Sequence, residues 1–302
     1  MLCRPIFSRG VTTLRSSTGL RLFSSTTQRL EPDLSYQVFK PEKDEITRDP
    51  IIFLHGLFGS KQNNRSISRA LARDLKCEIF TVDLRNHGHS FHAEEHNYSV
   101  MAEDVVKFMQ QLKLKKAALI GHSMGAKAAM TVALETPSLV SALVPVDNAP
   151  LNAPLKSDFG KYVRGMQQVE AAKVTKQSDA DKILQEYEES LPIRQFLLTN
   201  LIRSPDDQTM KFRVPLSVLG ESLADMADFP YREADASAKT YDGPTLFVRG
   251  TKSRYVTDEA IPVIKAFFPR AQIADVEAGH WLISENPEPF RLAVVKFFKE
   301  LS

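Results

Sequence analysis

The sequence is short of several things, and each shortage narrows what the chain can be. It has two cysteines in 302 residues, Cys3 and Cys77. If the N-terminal stretch is removed, Cys77 stands alone and no intramolecular disulfide can form, which suits a reducing or intracellular compartment. No apolar run approaches the ~20 residues that a membrane-spanning helix needs. No run of lysine and arginine marks a nucleic-acid surface, and the formal net charge is only +2. The first thirty residues lack acids altogether: Arg4, Arg9, Arg15, Arg21 and Arg29 precede the first carboxylate, Glu31. With 39 basic and 37 acidic side chains in all, the chain beyond that stretch is slightly acidic.

Residues 1–30 are rich in Arg, Ser and Thr, with scattered Leu and Phe. That composition predicts a mitochondrial transit peptide. A secretory signal needs a continuous apolar core, which Val11-Thr12-Thr13-Leu14-Arg15-Ser16 interrupts. Arg21-Leu22-Phe23-Ser24 resembles a matrix-protease cleavage pattern, so the expected location is the mitochondrial matrix.

The body, residues 35–302, alternates short apolar runs with helical patterns. Ile51–Leu54, Glu78–Val82, Ala117–Ile120, Leu143–Val146, Thr245–Val248 and Ala271–Val276 read as strands, and Tyr36 and Val38 mark an edge strand. Helices are expected over 64–75, from Ser99 to Leu112, over 125–135 and 258–268, and from Pro287 to Leu301. Such alternation implies an α/β fold with a mostly parallel sheet covered by helices on both faces. Residues 151–235 show helical patterns only, so they read as a cap inserted over the site. Ligands of such sheets bind beyond the carboxyl ends of the strands, and His55, Asp83, Ser123 and Asp147 all stand at such ends.

Gly121-His122-Ser123-Met124-Gly125 joins one of these strands to an Ala-rich helix. A sharp turn of this kind lifts a serine hydroxyl clear of the sheet. Serine is a poor nucleophile until a base takes its proton, and the base needs a carboxylate to hold its tautomer. Ser123 is the candidate nucleophile. His280, in Gly279-His280-Trp281 after the last strand, is the candidate base. The third member is open. The loop after Gly250 contains no carboxylate before Asp258, which is expected to cap the next helix. Asp147, at the end of the strand after the nucleophile, is the candidate acid; the Ser253 hydroxyl is the alternative, with Asp147 then a turn-former. The backbone N–H groups of Leu57 and Met124 are expected to hold the oxyanion of a tetrahedral intermediate. Phe58, Phe196, Leu197 and Leu201 are expected to line the substrate pocket.

Two other motifs compete for attention. His92-Ala93-Glu94-Glu95-His96 matches an inverted zinc-protease pattern, but that pattern requires a helix and this one lies in a polar connection, so no metal is expected. Asp83 and Arg85 could touch substrate; the plainer reading is an ion pair bracing their loop.

Taken together, Phe53-Leu54-His55-Gly56-Leu57-Phe58-Gly59-Ser60-Lys61, Val82-Asp83-Leu84-Arg85-Asn86-His87-Gly88-His89-Ser90, the Ser123 elbow, Val146-Asp147 and Ala278-Gly279-His280-Trp281 are distinctive. The chain over residues 50–302 resembles the mitochondrial α/β-hydrolases of the abhydrolase-domain-containing protein 11 type, which include fungal ethanol acetyltransferases. The resemblance implies an α/β-hydrolase fold, a Ser-Asp-His triad with Asp147 as acid, and esterase or thioesterase activity. In some members it implies transfer of acetyl from acetyl-CoA to ethanol. Ala126 departs from the family, which often has a third glycine there. The resemblance implies no cofactor, acetyl-CoA entering only as an acyl-donor substrate, and small-molecule partners: an ester, thioester or alcohol. A non-enzymatic binding module on the same fold is the alternative, and the presence of both Ser123 and His280 counts against it.

Overall fold

The computed structural model describes residues 33–41, 46–152, 158–237 and 239–301. The expected transit peptide lies outside these residues.

Seven strands form one sheet. β1 (Tyr36–Phe39) is the antiparallel edge strand, followed by β2 (Ile51–Leu54), α1 (Arg65–Leu75), β3 (Ile79–Val82), α2 (Tyr98–Gln111), β4 (Ala117–His122), α3 (Met124–Glu135) and β5 (Val140–Val146). The second part of the chain begins with the cap: α4 (Asp158–Ala171), α5 (Gln177–Gln185), α6 (Leu191–Leu198), β6 (Leu201–Arg203), β7 (Met210–Phe212), α7 (Leu216–Glu221) and α8 (Leu223–Ala227). The sheet then resumes with β8 (Thr245–Gly250), α9 (Ile261–Phe267), β9 (Ala271–Val276), α10 (Leu282–Glu285) and α11 (Pro287–Glu300). The strand order is β1-β3-β2-β4-β5-β8-β9, parallel from β3 onward.

Strand side chains alternate between faces, so each apolar run feeds two cores. Ile52, Leu54 and Leu119 join α2, α3 and the cap on one side. Ile51, Phe53, Ala118 and Ile120 join α1 and α11 on the other, through Ile67, Leu71, Phe290 and Phe297. β2, β3 and β4 are buried along their whole length, which accounts for their largely apolar sequence, with Thr81 and His122 the polar side chains among them.

Three local expectations need correction. α2 opens at Tyr98, one residue before Ser99, because Asn97 is its cap: the Asn97 side chain accepts the Val100 N–H at 3.1 Å. Asp258 caps nothing; its carboxylate pairs with Arg249 at 2.7 Å. The cap is not purely helical, since β6 and β7 form a small antiparallel hairpin. Strands of three residues are too short to impose an alternating pattern that could be told from its helical surroundings.

The cap is tied to the nucleophile's helix. Lys127, buried on α3, donates through Nζ to the carbonyls of Ala227 and Asp228 at the end of α8, each at 2.8 Å. Burial pulls the Lys127 ammonium down to about 8. No helix among the described residues is long and apolar enough to cross a membrane.

Candidate active site

The elbow is built by close backbone approach. A Cβ on Gly121 would lie 2.1 Å from the Gly125 carbonyl oxygen, and a Cβ on Gly125 would lie 2.6 Å from the carbonyl oxygens of Leu54 and His55. Only glycine fits at either place, so α3 starts hard against the ends of β4 and β2. Ala126 is fully buried, and its methyl is accommodated where a third glycine would have been expected. Between them Ser123 sits at φ 55° and ψ −114°, a strained conformation costing about 1–3 kcal/mol. Its N–H donates to the Val146 carbonyl at 2.9 Å, and Asn148 Nδ2 donates to its carbonyl at 3.2 Å.

Three strand ends converge on this serine. Ser123 Oγ lies 3.0 Å from His280 Nε2, and His280 Nδ1 lies 2.7 Å from Asp147 Oδ2. Asp147 is fully buried and accepts two further bonds, from the Gly250 N–H at 3.0 Å and the Ser253 hydroxyl at 2.5 Å. The carboxylate is thus held at both oxygens. Ser253 hydrogen-bonds the carboxylate, and among the described residues no hydrogen bond joins it to His280. Tyr255 stacks on the imidazole, centroids 4.1 Å apart, and burial raises its phenol to about 12. Nothing in the sequence marks Tyr255 for this place.

The loop after β2 lies beside the nucleophile. A Cβ on Gly56 would stand 3.3 Å from Ser123 Cβ and 3.1 Å from His122 Nδ1. Gly59 N–H donates to the Gly56 carbonyl at 2.9 Å, closing a turn with Leu57 and Phe58 at its centre. Phe58 takes φ 61°, a left-handed conformation that costs a non-glycine residue about 1–2 kcal/mol. Among the described residues, neither the Leu57 N–H nor the Met124 N–H has an acceptor.

A cavity of about 640 Å³ adjoins this site. It is walled by Gly56, Asn64, His122, Ile193, Phe196 and Trp281 among others. It reaches the neighbours of Ser123, while Ser123 and His280 themselves stay outside its wall. Of the four expected pocket residues, Phe196 lines it, its ring 4.6 Å from that of Trp281. The other three do not. α6 turns Ile193 and Phe196 toward the cavity, so Leu197 points into the cap core, where it is 1% exposed. Leu201 is on β6, packed against the same core, and Phe58 is buried against Phe159.

The remaining polar residues brace the loops. Asp83 pairs with Lys61 and Arg85 with Asp104, so the two strand-end charges are braces, but not to each other. His92 is exposed and His96 buried, on irregular backbone, so the two imidazoles do not share a face as the metal pattern requires. His122 donates through Nε2 to the His280 carbonyl at 2.8 Å; burial and the adjacent His280 push it down to about 4, so it is neutral.

Comparison with known proteins agrees with this geometry. Residues 49–287 match the family described as alpha/beta hydrolase fold. The chain is similar to the sn-1-specific diacylglycerol lipase ABHD11 of Xenopus laevis, 39% identical, covering 88% of this chain and 83% of that protein. It is also similar to ethanol acetyltransferase 1 of Kluyveromyces lactis, 33% identical, covering 88% of this chain and 79% of that protein. Among solved structures, a marine microorganism esterase superposes with TM-score 0.80 at 28% identity, covering 88% of this chain and all of that one. The chain belongs to the α/β-hydrolase fold family, in its abhydrolase 11 and alcohol acetyltransferase group. It is an enzyme of acyl chemistry, a serine hydrolase or acyltransferase.

Proposed function

We propose that Ser123, His280 and Asp147 are the catalytic triad and that the enzyme moves a small acyl group from an ester or thioester through an acyl-enzyme on Ser123. His280 Nε2 takes the hydroxyl proton as Oγ attacks the acyl carbon. The carbonyl oxygen becomes an oxyanion held by the N–H groups of Leu57 and Met124. His280 returns the proton to the leaving alcohol or thiol, and Asp147 holds the transient imidazolium. Water or a small alcohol then repeats the sequence on the acyl-enzyme. Water yields a carboxylic acid; an alcohol yields a new ester.

The observation that carries this reading is the continuous Ser123–His280–Asp147 chain, with contacts of 3.0 and 2.7 Å. Among the described residues no lysine or arginine lines the cavity, and the one acidic side chain there, Glu285, accepts the Gly279 N–H at 2.6 Å. That wall suits an uncharged acyl ester, and an acetyl-CoA donor would keep its phosphates outside it. The arginine-rich, acid-free first thirty residues support a mitochondrial matrix location.

The test is to incubate the chain, without residues 1–30, with acetyl-CoA or a neutral acetyl ester, with and without ethanol, and to quantify ethyl acetate and acetate. Ester formation competing with acetate release marks an acyltransferase that leaks to water. Acetate alone marks a hydrolase. Turnover equal to wild type in Ser123→Ala overturns the assignment.

A further inference from the structure

The loop that presents the Leu57 N–H is held in an unfavourable shape. Phe58 is the third residue of the Gly56–Gly59 turn, a position where φ above zero is normally left to glycine or asparagine. Such a conformation persists only where the surroundings over-determine it. Two side chains do so here. On one side, the Phe58 N–H donates to His87 Nε2 at 3.1 Å. On the other, Asn200 Nδ2 donates to the Phe58 carbonyl at 2.7 Å. Both contacts are buried, His87 is fully buried and Asn200 is 3% exposed.

Each clamp is itself fixed. His87 Nδ1–H donates to the Arg85 carbonyl at 2.9 Å, which leaves Nε2 as the acceptor. Burial and the neighbouring His55 and His96 hold this imidazole well below its usual range, so it stays neutral. A protonated ring would turn a second N–H against that of Phe58. Asn200 comes from the cap, directly after α6, and its carbonyl accepts the Arg213 N–H at 2.8 Å. α6 is the helix that offers Ile193 and Phe196 to the cavity. The peptide next to the nucleophile is therefore pinned between the sheet and the cap element that touches the cavity.

We propose that His87 and Asn200 are positioning residues that together hold Phe58 in its left-handed turn and so aim the Leu57 N–H at the oxyanion. Release of either bond lets Phe58 relax to negative φ, which reorients the Leu57–Phe58 peptide and with it the neighbouring donor. This rests on the oxyanion role of Leu57 stated above.

The experiment compares His87→Leu, His87→Gln and Asn200→Leu with wild type and Ser123→Ala on a p-nitrophenyl ester. Rates are normalised to active sites titrated with a fluorophosphonate. A trifluoromethyl ketone, whose serine adduct places an oxyanion in the hole, provides a second readout. His87→Leu and Asn200→Leu are expected to lower kcat per titrated site about 10- to 100-fold, less than outright loss of a donor. KM should stay within about threefold, and the ketone should weaken by the same factor as kcat/KM falls. His87→Gln offers an amide oxygen near the place of Nε2 and should recover most of the rate. A purely structural role would lower the titrated fraction and leave kcat per site unchanged; that result overturns the proposal, as does a loss carried by KM or a Gln variant no better than Leu. If Ser123→Ala is inactive while the clamp variants match wild type, only the clamp fails; if Ser123→Ala turns over normally, the triad assignment fails first.

Discussion

Asp147 meets His280 from the end of β5, with Oδ2 2.7 Å from Nδ1, while the end of β8 supplies only the Ser253 hydroxyl to the same carboxylate oxygen. Asp147 and His280 therefore come from strands separated by β8 in the sheet. Asp147→Asn should lower kcat about 10³- to 10⁴-fold without unfolding the chain, because the amide disturbs the tautomer while keeping the shape. Ser253 stands where a carboxylate from β8 could reach the same imidazole. Adding Ser253→Asp to Asp147→Asn should restore at least about tenfold of that loss. Steady-state kinetics with matched melting temperatures decide it; a well-folded double variant with no recovery would mean that the β8 loop cannot present an acid.

Adjacent residues of α6 should separate specificity from stability. Phe196 faces the cavity and rests on Trp281, whereas Leu197 is buried in the cap core. Phe196→Ala is expected to shift the preferred acyl length upward with little change in melting. Leu197→Ala should instead cost about 2–5 kcal/mol and leave the length preference alone. A series of p-nitrophenyl esters from acetate to octanoate, run beside urea denaturation, checks both halves. The reverse pattern would mean that the cavity is not the acyl site.

Acid should unfold this enzyme early. His55 and His87 are lowered by burial, and His96 and His122 are brought down to about 4 by it. For each, the unfolded chain titrates near 6.5 and binds a proton that the folded state refuses. Between about pH 6.5 and 4 the unfolded state binds more protons, so stability falls as pH falls through that window. The urea midpoint should be level between about pH 7 and 8 and drop steadily from pH 6.5 to 4. A level profile across that range would mean that these imidazoles are solvated or charged in the native state.

Lys127 should leave a signature of the same sign in alkali. Its folded value is about 8 against 10.5 unfolded, so between those pH values the unfolded chain holds the extra proton. Stability contributed at this site therefore rises with pH from about 8 to 10.5, by on the order of 3 kcal/mol. Lys127→Met should abolish that slope. It should also loosen the end of α8, read as faster hydrogen exchange around residues 223–228. If the variant keeps the wild-type slope, the ammonium is not desolvated as described.

What the sequence determined by itself was local. Apolar runs of four to six residues bounded by glycine or charge are enough to mark β2, β4 and β8, because a strand buried on both faces needs no partner to write its pattern. The elbow is legible for the same reason: Gly121 and Gly125 answer to backbone contacts within a few residues and to one neighbouring strand end. Ser123 and His280 follow from their positions after particular strands. What the tertiary structure alone decided were choices between residues equally placed in the chain. Asp147 and Ser253 each follow a strand, and only distance in three dimensions puts the carboxylate on His280 and the hydroxyl on the carboxylate. Phe196 and Leu197 are neighbours of similar apolarity, divided by about 100° of helical rotation that the pattern fixes only relative to packing. Asp83 and Arg85 invite each other in sequence, yet Lys61 and Asp104 lie nearer in space. The grip of His87 and Asn200 on Phe58 joins three segments of the chain, one of them 142 residues away. Short-range sterics write themselves into sequence; which distant side chain arrives first at a buried donor or acceptor is written only by the packed fold.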